Sequence, residues 1–298
     1  MNEPTTPASA RTLLRSHARQ FDEGRYVYPV LSRRAGGISI GVNLSVDKIC
    51  NFRCIYCQVE RGPAAAPHAV DLARLAEELD RTVELVASGR IFQETQFRAT
   101  PAPLRRLNDI ALSGDGEPAS SSQFAEAVAV CAQVRRRRKL DDLKLVLITN
   151  ASLLHREAVE RGLEILDANN GEIWAKLDAG TEGYYRLVAR SAAKWTQILD
   201  NLRQTAEKRP IVIQSLFLRV RGEPPSASEQ EAYCDRLVEI ASGGGRIKLV
   251  QIYTIARPAA ENWATPLTDD QLDALAALVA RRTGLAVAAY RGLAGGDC

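Results

Sequence analysis

The feature that most constrains this chain is an alternation: from Ile38 onward, apolar runs of strand length trade places with amphipathic helical patterns. Strands are expected over 38–46, 107–112, 143–149, 172–177, 211–218, 246–255 and 285–290, and helices over 71–88, 120–139, 153–168, 194–207, 226–241 and 268–282. In the first of these helices Leu72, Leu75, Ala76, Leu79, Val83 and Val86 fall on one face, the period of a helix with one side buried. Steps of about 30 residues, with strands that lack polar alternation, are βαβ units of a parallel sheet covered by helices. The expected fold is therefore α/β, a parallel barrel or part of one. An open doubly wound sheet is the alternative, and both place functional loops where strands end.

The first of the expected strands runs into Cys50-Asn51-Phe52-Arg53-Cys54-Ile55-Tyr56-Cys57, three thiols at C-x3-C-x2-C spacing. A [4Fe-4S] cube has four irons, so three cysteines on one loop hold three and leave the fourth open to a ligand that is not protein. The alternative is zinc, with His68 completing a tetrahedron. Structural zinc usually draws on paired C-x2-4-C or H-x3-5-H spacings, which this chain does not offer. Cys131, Cys234 and Cys298 are scattered and form no second motif.

The cysteine spacing, with Tyr56 just before the last thiol, resembles the signature of the radical S-adenosylmethionine (SAM) superfamily. The resemblance implies a [4Fe-4S] cluster on Cys50, Cys54 and Cys57, with SAM chelating the open iron and cleaved reductively to methionine and a 5′-deoxyadenosyl radical. It also decides between the two folds. Radical SAM proteins have a full or partial (β/α)6 barrel with the cluster loop after the first strand, the order found here. A partial parallel (β/α)6 barrel is thus expected over 38–298, with a C-terminal helix and tail, after an N-terminal helix (11–24) and extension within 1–37.

Gly114-Asp115-Gly116-Glu117-Pro118, after the strand at 107–112, is similar to the Gly-Gly-Glu element of that superfamily. Glu117 is expected to accept from the ammonium of SAM, with Gly114 and Gly116 admitting backbone close to it. Asn150 and Asp178 close the next two strands, where they are expected either to meet the carboxylate or ribose of SAM or to be helix N-caps. Gln251 and Tyr253 resemble the adenine-contacting strand, and Tyr56 is expected at the adenine too. The stretches 32–43 and 251–258 resemble the group described as wyosine-synthase-related iron-sulfur oxidoreductases, a likeness that spans roughly 28–272. The second cluster motif and appended domain of its tRNA-modifying member are not seen in this sequence.

Arg33, Arg34, Arg219 and Arg257 lie beside the expected rim, and guanidinium forks match carboxylate and phosphate oxygens. A small anionic substrate is therefore expected, with solvated turns and surface ion pairs as the plainer reading of the same arginines. The basic run 135–139 could neutralise tRNA phosphates, but cations also complement a helix C-terminus, and this one falls on the face opposite the rim. Base modification of tRNA and activation of a partner protein are the alternative functions, and a zinc-stabilised binding protein is the alternative that is not an enzyme. With 39 Lys and Arg against 36 Asp and Glu, net charge does not announce a nucleic-acid binder. A cluster enzyme needs an electron donor such as flavodoxin or ferredoxin. No stretch approaches the ~20 apolar residues of a bilayer-crossing helix, and 1–10 lacks a signal-peptide pattern. A cytoplasmic enzyme without a membrane partner is expected.

Overall fold

The computed structural model describes residues 21–59 and 69–292. Most of the helix expected over 11–24, together with His68 and the Cys298 tail, lies outside the described residues. The strands are β1 (Val27–Ser32), β2 (Gly37–Val42), β3 (Leu107–Leu112), β4 (Lys144–Thr149), β5 (Gly171–Lys176), β6 (Ile211–Leu216), β7 (Leu218–Val220), β8 (Ile247–Tyr253), β9 (Ala264–Pro266) and β10 (Val287–Tyr290). Eight of them form one sheet in the order β1-β2-β3-β4-β5-β6-β8-β10, while β7 and β9 pair separately. From β2 to β10 the large sheet is parallel, and only β1 runs antiparallel to its neighbour. This is the mostly parallel, curled partial barrel that the alternation and the cysteine loop together led us to expect.

The helices are α1 (Leu72–Ala87), α2 (Phe124–Arg137), α3 (Glu157–Asp167), α4 (Glu182–Ala189), α5 (Trp195–Lys208), α6 (Ala227–Ser242) and α7 (Asp269–Thr283). Asp71, Thr181, Ser226 and Thr268 cap four of them by accepting from backbone N–H groups of the first turn. Such caps are worth about 1 kcal/mol each. The strands divide their side chains by the two-residue period: Ile38, Ile40, Ile110, Leu112, Leu145, Leu147, Ile173 and Ile213 join the helices in the main core. Ala111, Val146, Trp174 and Val212 form a smaller apolar layer of their own. Near it sits a polar set, in which Glu172 accepts from Trp174 Nε1 at 2.8 Å and pairs with Lys144 and Lys248.

The sheet begins at Val27, inside the stretch expected to be an extension. β1 holds Pro29, and a proline is tolerated there because an edge strand leaves one row of N–H positions without a ladder partner. At the other edge, Arg33 of the β1–β2 turn donates to the Arg291 carbonyl just past β10. The two sheet edges are thereby tied together by a side chain.

Candidate active site

The loop after β2 carries the three cysteines and is fixed from several sides. Arg53 N donates to Ala189 O at 3.1 Å and Ile55 N to Val188 O at 3.0 Å, so the loop pairs with the end of α4. Ser191 Oγ holds the Asn51 carbonyl at 3.0 Å. The Asn51 side chain donates to Ser152 Oγ at 2.7 Å and accepts from Asn150 Nδ2 at 2.8 Å. Asn150 thus anchors the cysteine loop. It is not the N-cap of α3, a place taken by Arg156.

A cavity of about 310 Å³ opens beside this loop. Its walls include Cys50, Cys54, Cys57 and Tyr56, the turn Gly114–Glu117, Asn150 and Tyr253, together with Arg33, Arg34 and Arg257. Of the arginines picked from the sequence, Arg219 lies outside these walls and donates to Gly222 O at 2.8 Å. Gln251 and Asp178 are not among the lining residues either. Gln251 accepts from Gln214 Nε2 at 3.1 Å, and Gln214 is the one that borders the cavity. Asp178 accepts from Leu216 N at 2.8 Å and from the Tyr56 hydroxyl. It stands behind the wall and caps no helix, since Thr181 caps α4.

Glu117 borders the cavity but is only 2% exposed, and both carboxylate oxygens face protein donors. Oε1 accepts from Thr149 Oγ1 at 2.6 Å and Ala119 N at 3.1 Å, and Oε2 from Asn150 N at 2.7 Å. Burial raises its pKa, and these same donors act against the rise. The glycines also serve protein contacts. A Cβ on Gly116 would stand 2.0 Å from Ile49 O, and one on Gly114 would stand 2.3 Å from Asn43 Oδ1. Asn43 in turn donates to Asp115 Oδ2 at 2.7 Å. The turn is therefore wedged against the root of the cysteine loop.

At this strand end the sequence offers Lys176-Leu177-Asp178, and Asp178 is the residue picked for the site, whereas the structure puts Lys176, the last residue of β5, on the cavity wall. Its Nζ donates to Tyr56 Oη at 3.1 Å and Tyr253 Oη at 3.3 Å, and lies 3.9 Å from Asp178 Oδ2. Burial pulls against its charge, but Tyr253 and Asp178 more than reverse this and its pKa is raised. The signal was available as period two, since Trp174 and Lys176 both point to the cavity from β5. Burial likewise pushes the Cys54 thiol up to about 12, with Lys176 acting in the opposite direction. Arg34 sits with its guanidinium carbon 4.6 Å from the Tyr253 ring centroid.

Asp109, on β3, also faces the cavity and was not anticipated. Burial lifts its pKa from 3.8 to about 6, against the Ser39 hydroxyl and Lys144. A raised carboxyl pKa means the folded state holds the proton more tightly, so stability is greatest below 3.8 and declines as pH rises to about 6. Asp109→Asn keeps an acceptor for Ser39, and should raise stability by roughly 2–3 kcal/mol at pH 8 but by only a fraction of that at pH 4. Urea unfolding at the two pH values checks this, and an equal effect at both would contradict it.

Four of the five residues in the basic run 135–139 bond to acceptors within the protein. Arg135 donates to Leu143 O, Arg136 to Asn169 Oδ1, and Arg137 and Arg138 to Asp80. Among the described residues, no helix is long and apolar enough to cross a membrane.

No protein-family model matches the chain. A UPF0026 protein of Methanocaldococcus jannaschii is 26% identical over 162 residues, 54% of this chain and 43% of that one, so this chain covers less than half the length of that relative. A UPF0026 protein of Helicobacter pylori is 24% identical over 250 residues, 82% of this chain and 70% of its own length. Among solved structures, that of TYW1 with a lysine–pyruvate adduct bound matches with a TM-score of 0.53 at 16% identity, covering 93% of this chain and 90% of that one. The likeness to TYW1 is one of fold, and it spans nearly the whole of both chains.

Proposed function

We propose that this chain is a radical SAM enzyme in which Cys50, Cys54 and Cys57 hold three irons of a [4Fe-4S] cluster and the adjoining cavity receives SAM and a small anionic substrate. The observation that carries this reading is the shared wall: three thiols from one loop, none in a disulfide, bordering one cavity with the glycine turn, Tyr56 and Lys176. The donor set fits the group. Among the described residues no three His, Cys, Asp or Glu side chains gather tightly enough for a single ion, but each thiolate of a cube binds a different iron, a looser demand. The cluster, once bound, supplies the electron that cleaves SAM.

The protein's own part is to orient and to exclude water. Lys176 brings a fixed cation to the wall, suited to a carboxylate of SAM or of the substrate, and Tyr56 and Tyr253 flank it. Asn150, Glu117, Asp178 and Gln251 support this reading as positioning residues, acting through Asn51, Thr149, Tyr56 and Gln214. Arg34, with Arg33 and Arg257, borders the space left for the anion. TYW1 has been solved with a lysine–pyruvate adduct, so a 2-oxo acid is the first small anion to test against Lys176 and Arg34. The pairing of Arg135, Arg136, Arg137 and Arg138 with protein acceptors weighs against a tRNA substrate held by that run.

Anaerobic reconstitution tests the donor set. The native chain is expected to take up about four irons and four sulfides and to give a reduced-cluster electron paramagnetic resonance signal, and Cys54→Ala to lose that signal while Cys234→Ala keeps it. Tight zinc uptake with no iron would overturn the reading and leave a zinc-stabilised α/β protein.

A further inference from the structure

Only three large apolar side chains stand exposed among the described residues, and two of them flank the cysteine loop. Ile49, 37% exposed, immediately precedes Cys50, and Leu187, 42% exposed, lies on α4 next to the residues whose carbonyls receive Ile55 N and Arg53 N. Arginines stand exposed on the loop itself and on the segments that bond to it. Arg53, Arg190 and Arg221 are all exposed, and the guanidinium carbons of Arg190 and Arg221 stand 5.5 and 5.7 Å from the half-buried Trp263 ring. The backbone makes the patch continuous with the loop: Arg221 N donates to Trp263 O at 2.8 Å and Glu261 N to Ile55 O at 3.2 Å. Arg190 pairs with Glu261. Arg53 and Arg221 have no carboxylate partner among the described residues.

Exposed aliphatic side chains beside an aromatic and unneutralised cations have the make-up of a protein-docking surface, with an apolar centre and a charged rim. A phosphodiester backbone would use the cations but gain nothing from Leu187 and Ile49. Resting on the function proposed above, which needs one electron from outside the chain for each SAM cleaved, we propose that this surface docks a small acidic one-electron carrier protein. The carrier is oxidised by one electron and the cluster on the adjoining loop is reduced by one. Charge complementarity supplies the steering, and the apolar pair gives the contact something to bury.

The test uses the reconstituted chain and a reduced flavodoxin, with the rate of cluster reduction followed by stopped-flow absorbance. Arg221→Glu and Leu187→Asp lie outside the cysteine loop, and each should slow reduction by about tenfold, with the native rate falling steeply as salt rises. Reduction by photoexcited deazaflavin and the cluster potential should be unchanged in both variants. A rate that ignores both substitutions and salt overturns the docking surface while leaving the enzyme reading intact. Failure of the native chain to load iron overturns both. Binding of bulk tRNA abolished by these substitutions, with the flavodoxin rate unaffected, would assign the surface to nucleic acid and likewise overturn the proposal.

Discussion

Replacing Glu117 by alanine is expected to destabilise the protein by about 3–5 kcal/mol, because three buried donors lose their acceptor at once. Thr149 Oγ1, Asn150 N and Ala119 N all converge on this one carboxylate, which ties the end of β3 to the end of β4. A group that merely held a ligand would cost little in the empty protein. Glu117→Gln should fall between, since its oxygen can serve Thr149 and Ala119 while its amide faces the Asn150 N–H, donor against donor. Urea unfolding of the apo protein reads the difference. A loss below about 1 kcal/mol for the alanine variant, with SAM binding abolished, would return Glu117 to the role its sequence motif suggested.

The second large effect belongs to Gly116→Ala. The added carbon would lie 2.0 Å from Ile49 O and 2.6 Å from Ser45 Oγ, and a backbone carbonyl cannot swing aside as the tip of a flexible side chain can. The root of the cysteine loop must move, at a cost of about 1–3 kcal/mol typical of overpacking, and the displacement falls directly before Cys50. Iron uptake should therefore drop severalfold as well. Gly183→Ala is the control, since nothing lies within 4 Å of a Cβ there, and it should leave iron uptake as it is.

Much of the fold could be read from periodicity because most strands and helices differ clearly in period and length. The strand at 107–112 and the helix near 71–88 correspond to β3 and α1 almost residue for residue. The elements passed over were short or at an edge: β1 with its proline, the three-residue β7 and β9, and the eight-residue α4. The last three are too short to display a period clearly, and β1, as long as β3, is interrupted by its proline. The cysteine loop was legible because its spacing is local. Which residues face the cavity was not, since that depends on partners far apart in the chain. Tyr56 meets Asp178 and Lys176 across more than 100 positions, and Glu117 meets Asn150 across 33. Asp178 and Gln251 sit at the right strand ends yet stand behind Tyr56 and Gln214, a difference only three-dimensional packing makes.

The central claim is that the three cysteines equip the cavity to cleave SAM. The most direct measurement is 5′-deoxyadenosine released from SAM by the reduced, reconstituted chain, compared with Cys54→Ala prepared in the same way. Release by the native chain, absent in a folded Cys54→Ala protein, is the predicted result. A native chain with its full complement of iron and sulfide that binds SAM and releases no 5′-deoxyadenosine, with or without a 2-oxo acid present, would contradict it.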